Sequence, residues 1–225
     1  MDIVFDQAQA SFDQRVVLQP LTLRLTERRI GVIGLNGSGK STFSRLINGL
    51  LLPSSGRVIT NGHDTAIDTA KARAEVGYVF QNPAHQIVLP LVREDIALGL
   101  HAHRLSKSAI DRAVLAALER LDIAHLQDRR AHELSGGEVQ LAALAAVLVT
   151  EPDIVIMDEP TNQLDLRNRN LVQRVINALQ ENVIVVTHDL GLIADFPRVL
   201  LFHDGQLVHD GPAAETIDHY YRLAA

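Results

Sequence analysis

The residues densest in chemistry are Gly34, Leu35, Asn36, Gly37, Ser38, Gly39, Lys40, Ser41 and Thr42, the stretch GLNGSGKST. Gly34, Gly39, Lys40 and Ser41 satisfy the G-x-x-x-x-G-K-[ST] spacing of a phosphate-cradling loop. In such a loop successive backbone N–H groups wrap phosphate oxygens, and the positive dipole end of the following helix adds to them. Lys40 supplies a point charge, and the Ser41 hydroxyl can reach Mg2+. The loop predicts a nucleoside triphosphate ligand. Kinases, GTPases and many ATPases share it, so alone it names no reaction.

A second cluster is Asp158-Glu159, at the end of the apolar run Ile154–Met157. Acids at the carboxyl end of a buried strand sit where open α/β sheets bind ligands. Asp158 can hold Mg2+ directly or through water, and Glu159 can polarise the water that attacks the γ-phosphate. In isolation the pair reads equally as two solvated acids at a strand end. A third segment, Leu134-Ser135-Gly136-Gly137-Glu138, precedes a helical stretch expected over 139–149. Its exposed N–H groups and hydroxyl make a second anion site, or an ordinary helix cap.

These clusters need elements to position them. Short β-rich apolar runs alternate with helical patterns, which predicts an α/β fold. Strands are expected at 29–34, 76–80, 154–157, 183–187 and 199–202, with a helix at 41–51 after the loop. Asn61-Gly62 and Asp204-Gly205 read as hairpin turns. Alternating segments near 3–5 and 21–25 suggest an antiparallel sheet beside the parallel one. Ser108 can cap a helix on which Ile110, Val114, Leu118 and Leu121 recur at helical spacing. Roughly 85–150 reads as a helical lobe inserted in the α/β core of one domain spanning 1–225.

Composition narrows the class. A net charge of −6 speaks against a nucleic-acid binder. With no cysteine, disulfides and thiolate metal sites are excluded. The start MDIVFDQ lacks a signal-peptide pattern, and the most apolar stretch, LAALAAVLV, is far short of the roughly 20 residues that span a bilayer. The expectation is a cytoplasmic chain that could reach a membrane only through a partner.

Taken together, the motifs resemble the ATP-binding cassette (ABC) family, whose signature reads LSGGQ or close to it, some twenty residues before an Asp-Glu strand. The likeness covers nearly the whole chain in order and spacing, and implies a P-loop nucleotide-binding domain: mixed sheet core, antiparallel β subdomain and helical lobe. Gln81 matches the family's glutamine loop and would touch γ-phosphate and metal; Thr161–Asp165 match its D-loop, and His188 in VTHD its switch histidine. Phe12 stands where the family stacks an aromatic on adenine. Read singly, Phe12 fits plain core, Gln81 a loop amide and His188 a satisfied strand-end histidine. In this family two cassettes pair head to tail, so Ser135, Gly136, Gly137 and Asp165 would complete the ATP site of a partner chain, whether identical or a paralogue. The implied activity is ATP hydrolysis, with Glu159, His188 and Gln81 as catalytic residues and Ser41, Gln81 and Asp158 around Mg2+.

A narrower likeness lies in Gln81-Asn-Pro-Ala-His-Gln86 followed by Glu94-Asp95. It resembles ATPases of energy-coupling factor importers for vitamins and transition metals. It implies a transmembrane scaffold protein and a substrate-binding membrane protein as partners, with coupling helices received around 86–92. The short stretch after Asp210-Gly211-Pro212 is most similar to the ATPases of biotin importers. An ATPase of an exporter or lipid transporter, or a soluble regulatory cassette protein, remains the alternative. Three positions depart from the family pattern: Glu138 for glutamine, Leu141 where many relatives carry arginine, and Gln163 where a small residue is usual.

Overall fold

The computed structural model describes residues 1–103 and 105–224. They form two compact units, the first of Met1–Tyr78, Asp153–Glu159 and Glu181–Ala225, the second of Val79–Pro152 and Pro160–Gln180. The second unit thus starts earlier than the expected lobe and takes up a further segment after Glu159.

In the first unit, β1 (Ile3–Phe12), β2 (Arg15–Leu25), β4 (Ser55–Thr60) and β5 (His63–Asp64) make an antiparallel sheet in the order β2-β1-β4-β5. Burial alternates along β1, as expected where one sheet face meets the core, and slips by one residue where the register shifts at Gln7, φ 48°. The second sheet has the order β10-β9-β3-β8-β7-β6. Its strands are β3 (Arg29–Gly34), β6 (Val76–Val79), β7 (Ile154–Asp158), β8 (Asn182–Val186), β9 (Arg198–His203) and β10 (Gln206–Gly211). β3, β7, β8 and β9 pair in parallel, and β10 joins β9 as an antiparallel edge. Every residue of β7 is buried, because both faces of a parallel sheet are covered. Asn61-Gly62 and Asp204-Gly205 each place both central residues at positive φ, the geometry that matches strand twist in tight hairpins.

Helix α1 (Lys40–Ile47) follows the glycine loop. It is shorter than expected because Gly49 turns left-handed at φ 68° and Thr60 Oγ1 donates to Ile47 O at 2.7 Å, closing the last turn. Three fully buried aromatics fix its place. Phe43 on α1 stacks on Phe5 of β1 at 4.8 Å and meets Phe202 of β9 at 4.9 Å. The helix is thereby pinned between the two sheets, and the loop before it is pinned with it. Helices α2 (Thr69–Glu75) and α7 (Ala213–Ala224) complete the unit.

The second unit carries α3 (Val92–Leu98), α4 (Lys107–Arg120), α5 (Gly136–Leu148) and α6 (Leu166–Ala178). The cap of α4 is Ser106, whose hydroxyl accepts from Ala109 N, and not Ser108. Two serines two residues apart offer the same side chain, and Ser106 alone has the extended backbone a cap needs. α5 starts at Gly136, three residues before the expected onset, because a capping box closes its first turn (below). Leu141, the departure from arginine, is only 1% exposed and belongs to the core of this unit. Among the described residues no helix is long and apolar enough to cross a membrane.

Candidate active site

The glycine loop is set by the sheet beneath it. Gly34 sits at φ 148°, and a Cβ there would lie 2.1 Å from Phe202 O, so only glycine lets β3 turn so close to β9. The N-cap of α1 is Gly39 at φ 99°, which offers no side-chain cap. The first helical bond runs from Phe43 N to Gly39 O, so the N–H groups of Lys40, Ser41 and Thr42 lie outside the intrahelical ladder. N–H groups left open at a helix start can receive an anion. The Ser38 hydroxyl is buried and has no hydrogen-bond partner among the described residues. Leu35, Asn36 and Gly37 form the exposed crest.

Lys40 is 7% exposed. Its ammonium donates to Gly34 O at 2.8 Å and Leu35 O at 3.0 Å, folded back over the loop that it would share with phosphates. Burial lowers its pKa, against the opposing pull of the Glu159 and Asp158 carboxylates.

Across from the loop, β7 delivers Asp158 and Glu159. Ser41 Oγ donates to Asp158 Oδ1 at 3.2 Å, joining α1 to β7. Asp158 Oδ2 accepts from the hydroxyl of Tyr78 on β6 at 3.1 Å, and that hydroxyl lies 2.9 Å from Ser44 Oγ of α1. Burial, and then the Asp158 charge, raise the Tyr78 pKa far above its ordinary value, so the phenol keeps its proton. Tyr78 and Ser44 were not singled out in the sequence. The spacing of Ser41 and Ser44 by one helical turn and the tyrosine three residues before Gln81 are the only local signals.

Glu159 is 8% exposed and takes a left-handed backbone, φ 52°, with its N–H on Val186 O at 2.7 Å. Three groups converge on its Oε2: His188 Nδ1 at 2.7 Å, His188 N at 3.2 Å and Thr187 Oγ1 at 3.4 Å. The His188 side chain is 61% exposed, so the imidazole is open to a ligand on its far side. Phe12, at the hairpin end of β1, is 48% exposed, a ring available for stacking and not core.

The first unit therefore brings together the glycine loop, Asp158, Glu159 and His188. Gln81, Ser135, Gly136, Gly137 and Asp165 belong to the second unit. There a recess of about 420 Å³ is lined by Gln81, Asn82, Gly136, Gln140, Gln163 and Leu164, among others. Ser135 N donates to Glu138 Oε2 at 2.7 Å while Ser135 Oγ accepts from Glu138 N at 3.4 Å, a capping box. Asp165 caps α6 by accepting from Asn168 N at 2.8 Å. α5 and α6 approach so closely that a Cβ on Gly137 would lie 2.4 Å from Asn168 Oδ1. Gln163 takes a left-handed turn, φ 62°. On the same unit, Phe80 N donates to Gln86 Oε1 at 3.2 Å, and the buried Asp95 Oδ1 accepts from Val88 N at 2.7 Å and Leu89 N at 2.9 Å. Val88 itself is 75% exposed.

This fold and this site define a P-loop ATPase of the cassette type. The family profile described as "ABC transporter" matches residues 18–162. The chain is 59% identical over 225 residues, all of both chains, to the biotin transport ATP-binding protein BioM of Rhizobium etli. It is 39% identical over 201 residues, 87% of this chain and 72% of the other, to the energy-coupling factor transporter ATP-binding protein EcfA1 of Halalkalibacterium halodurans. Among solved structures, cbiO1 from Clostridium perfringens, described as part of the ABC transporter complex cbiONQ, superposes with a TM-score of 0.87 at 28% identity, covering 99% of this chain and 92% of that one. The chain belongs to the ABC transporter family and is an ATP-hydrolysing member of it.

Proposed function

We propose that this chain is the ATPase subunit of an energy-coupling factor importer at the cytoplasmic face of the membrane, and that biotin is the vitamin taken up. The observation that carries the reading is the 59% identity along the entire length to a protein named for biotin transport. The likeness to a protein named for energy-coupling factor transport supports the importer class. The partners would be a second ATPase chain, a transmembrane scaffold and a substrate-binding membrane protein.

In this reading phosphates occupy the space before α1, where the N–H groups of Lys40, Ser41 and Thr42 point and where Lys40 exchanges two loop carbonyls for phosphate oxygens. The donor set fits Mg2+: a hydroxyl and a carboxylate, both hard oxygens, lie 3.2 Å apart. Among the described residues no group of three or more His, Cys, Asp or Glu could hold a metal alone. Ser41 and Asp158 would hold it, with Gln81 contributing from its loop. An ion held there would supply positive charge against the phosphates. Glu159 receives the proton of the attacking water on Oε1, since Oε2 already accepts from His188 and Thr187. His188 holds that carboxylate and turns its exposed edge to the γ-phosphate. Phe12 stacks on adenine, while Ser135, Gly136, Gly137 and Asp165 close on the nucleotide of the partner chain. ATP thus joins two chains, and its hydrolysis releases them.

Two measurements test this. Purification of the tagged chain from membranes should bring down a small scaffold protein and a substrate-binding membrane protein. Uptake of labelled biotin by cells carrying the complex should depend on Lys40. Export of substrate from inside-out vesicles, with no uptake, would overturn the importer reading.

A further inference from the structure

Both oxygens of Asp158 are held by hydroxyls from different elements. Ser41 of α1 donates to Oδ1 at 3.2 Å, and Tyr78 of β6 donates to Oδ2 at 3.1 Å. Behind Tyr78 stands Ser44, one turn along α1 from Ser41, with its Oγ 2.9 Å from the phenol oxygen and 3.1 Å from Ser41 O. Tyr78 is 6% exposed, Ser44 0% and Asp158 1%. The network is therefore closed on its inner side.

Proton bookkeeping orients it. Ionised Asp158 accepts only, so the single Tyr78 proton must go to Oδ2. Tyr78 oxygen then accepts from Ser44, whose one proton is shared between that oxygen and Ser41 O. The result is a carboxylate fixed in one rotation about its χ2 axis, which otherwise turns broadly. Its other oxygen points at the Ser41 hydroxyl.

We propose that Tyr78 is a positioning residue for the metal site: it holds Oδ2 of Asp158 so that Oδ1 and Ser41 Oγ present one edge to Mg2+. The inference rests on the reading that Asp158 and Ser41 hold Mg2+. Tyr78 touches neither nucleotide nor metal. Partners of this outer kind orient metal-holding carboxylates and carry about a tenfold share of metal affinity when removed.

The experiment uses the full-length chain and Tyr78→Phe, which keeps the ring and deletes the hydroxyl. Mn2+ is the probe, titrated in the presence of a non-hydrolysable ATP analogue and followed by loss of the free-ion electron paramagnetic resonance signal. The apparent Mn2+ dissociation constant should rise about tenfold. Binding of the fluorescent nucleotide TNP-ATP in excess chelator should stay unchanged, because the loop N–H groups and Lys40 are untouched. The Mg2+ concentration giving half-maximal ATP hydrolysis should rise by the same factor. Ser44→Ala leaves the tyrosine in place and should give a smaller shift in the same direction. A role in packing alone would lower the thermal midpoint and leave the metal titration where it was, which overturns the proposal. Asp158→Asn provides the separate check: if it leaves Mn2+ binding intact, the metal reading itself fails. If it weakens Mn2+ binding while Tyr78→Phe does not, only the positioning role fails.

Discussion

His188 Nδ1 lies 2.7 Å from Glu159 Oε2, and the same oxygen also meets His188 N at 3.2 Å. One residue thus grips the carboxylate by ring and backbone together. Thr187 adds its hydroxyl at 3.4 Å, so the side chain of Glu159 is directed by consecutive residues after β8 while its backbone is held in a left-handed turn. Such a conformation in a non-glycine residue costs about 1–3 kcal/mol and survives where the surroundings over-determine it.

Glu159→Gln keeps the shape and removes the base. ATP turnover should fall about a thousandfold, within the range for loss of a general base, while ATP still binds. Light scattering with ATP and Mg2+ should show a dimer at high protein concentration. Adding Ser135→Arg should return the monomer, because the long side chain fills the partner's phosphate position. Equal dimerisation of the single and double variants would leave Ser135 as a helix cap only.

Lys40→Ala should abolish ATP binding. ATP at a hundredfold excess over its dissociation constant stabilises a folded protein by about 2.7 kcal/mol, and this gain should vanish from the thermal unfolding curve of the variant. The ammonium also bridges Gly34 O and Leu35 O, so the nucleotide-free variant should unfold slightly earlier than the parent. A preserved ATP-dependent shift would contradict the assignment of the loop.

The carboxylate of Glu138 accepts from Ser135 N, and that bond holds its pKa below the ordinary 4.5. A depressed acid contributes stability that is present above pH 4.5 and lost as pH falls through its folded-state value. Glu138→Gln keeps the capping box, so at pH 7 its denaturation midpoint should match the parent within about 0.5 kcal/mol. Near pH 3 the parent should have lost more than the variant. With one negative charge fewer beside the partner's phosphates, the variant should also dimerise at lower ATP. Parallel pH profiles would show that Glu138 carries no such linkage.

Val88→Asp places a charge on an apolar side chain that is 75% exposed. Turnover by the isolated subunit should be unaffected, since the Asp95 carboxylate holds Val88 and Leu89 by their backbone N–H groups and not by their side chains. Recovery of the membrane partners on purification should drop about tenfold or more, as expected on charging the centre of an apolar contact. Undiminished recovery would place the docking surface elsewhere.

Much of the fold could be read from local patterns. Buried parallel strands are short apolar runs, and two of the turns with paired positive φ are written as Asn-Gly and Asp-Gly, whereas the third, Asp13-Gln14, carries no glycine to mark it. The glycine loop announces itself through residue types that few other structures need. What stayed hidden depends on pairs distant in sequence. Tyr78 and Asp158 are 80 positions apart, and nothing local to either predicts that they meet. The inward fold of Lys40 onto Gly34 O and Leu35 O is local in sequence, yet residue types alone do not show which way its side chain turns. The choice between Ser106 and Ser108 turned on one backbone dihedral, below the resolution of pattern reading.

Asp95 holds the loop after Gln86 by its main chain, leaving the side chains of Val88 and Leu89 outside the grip. Were this segment the docking surface, support and recognition would fall to different atoms. Substitutions at these two positions would then alter which partner is received without unfastening the segment that presents it. A chain built this way could drift toward a new membrane protein one surface residue at a time, and keep a working motor throughout.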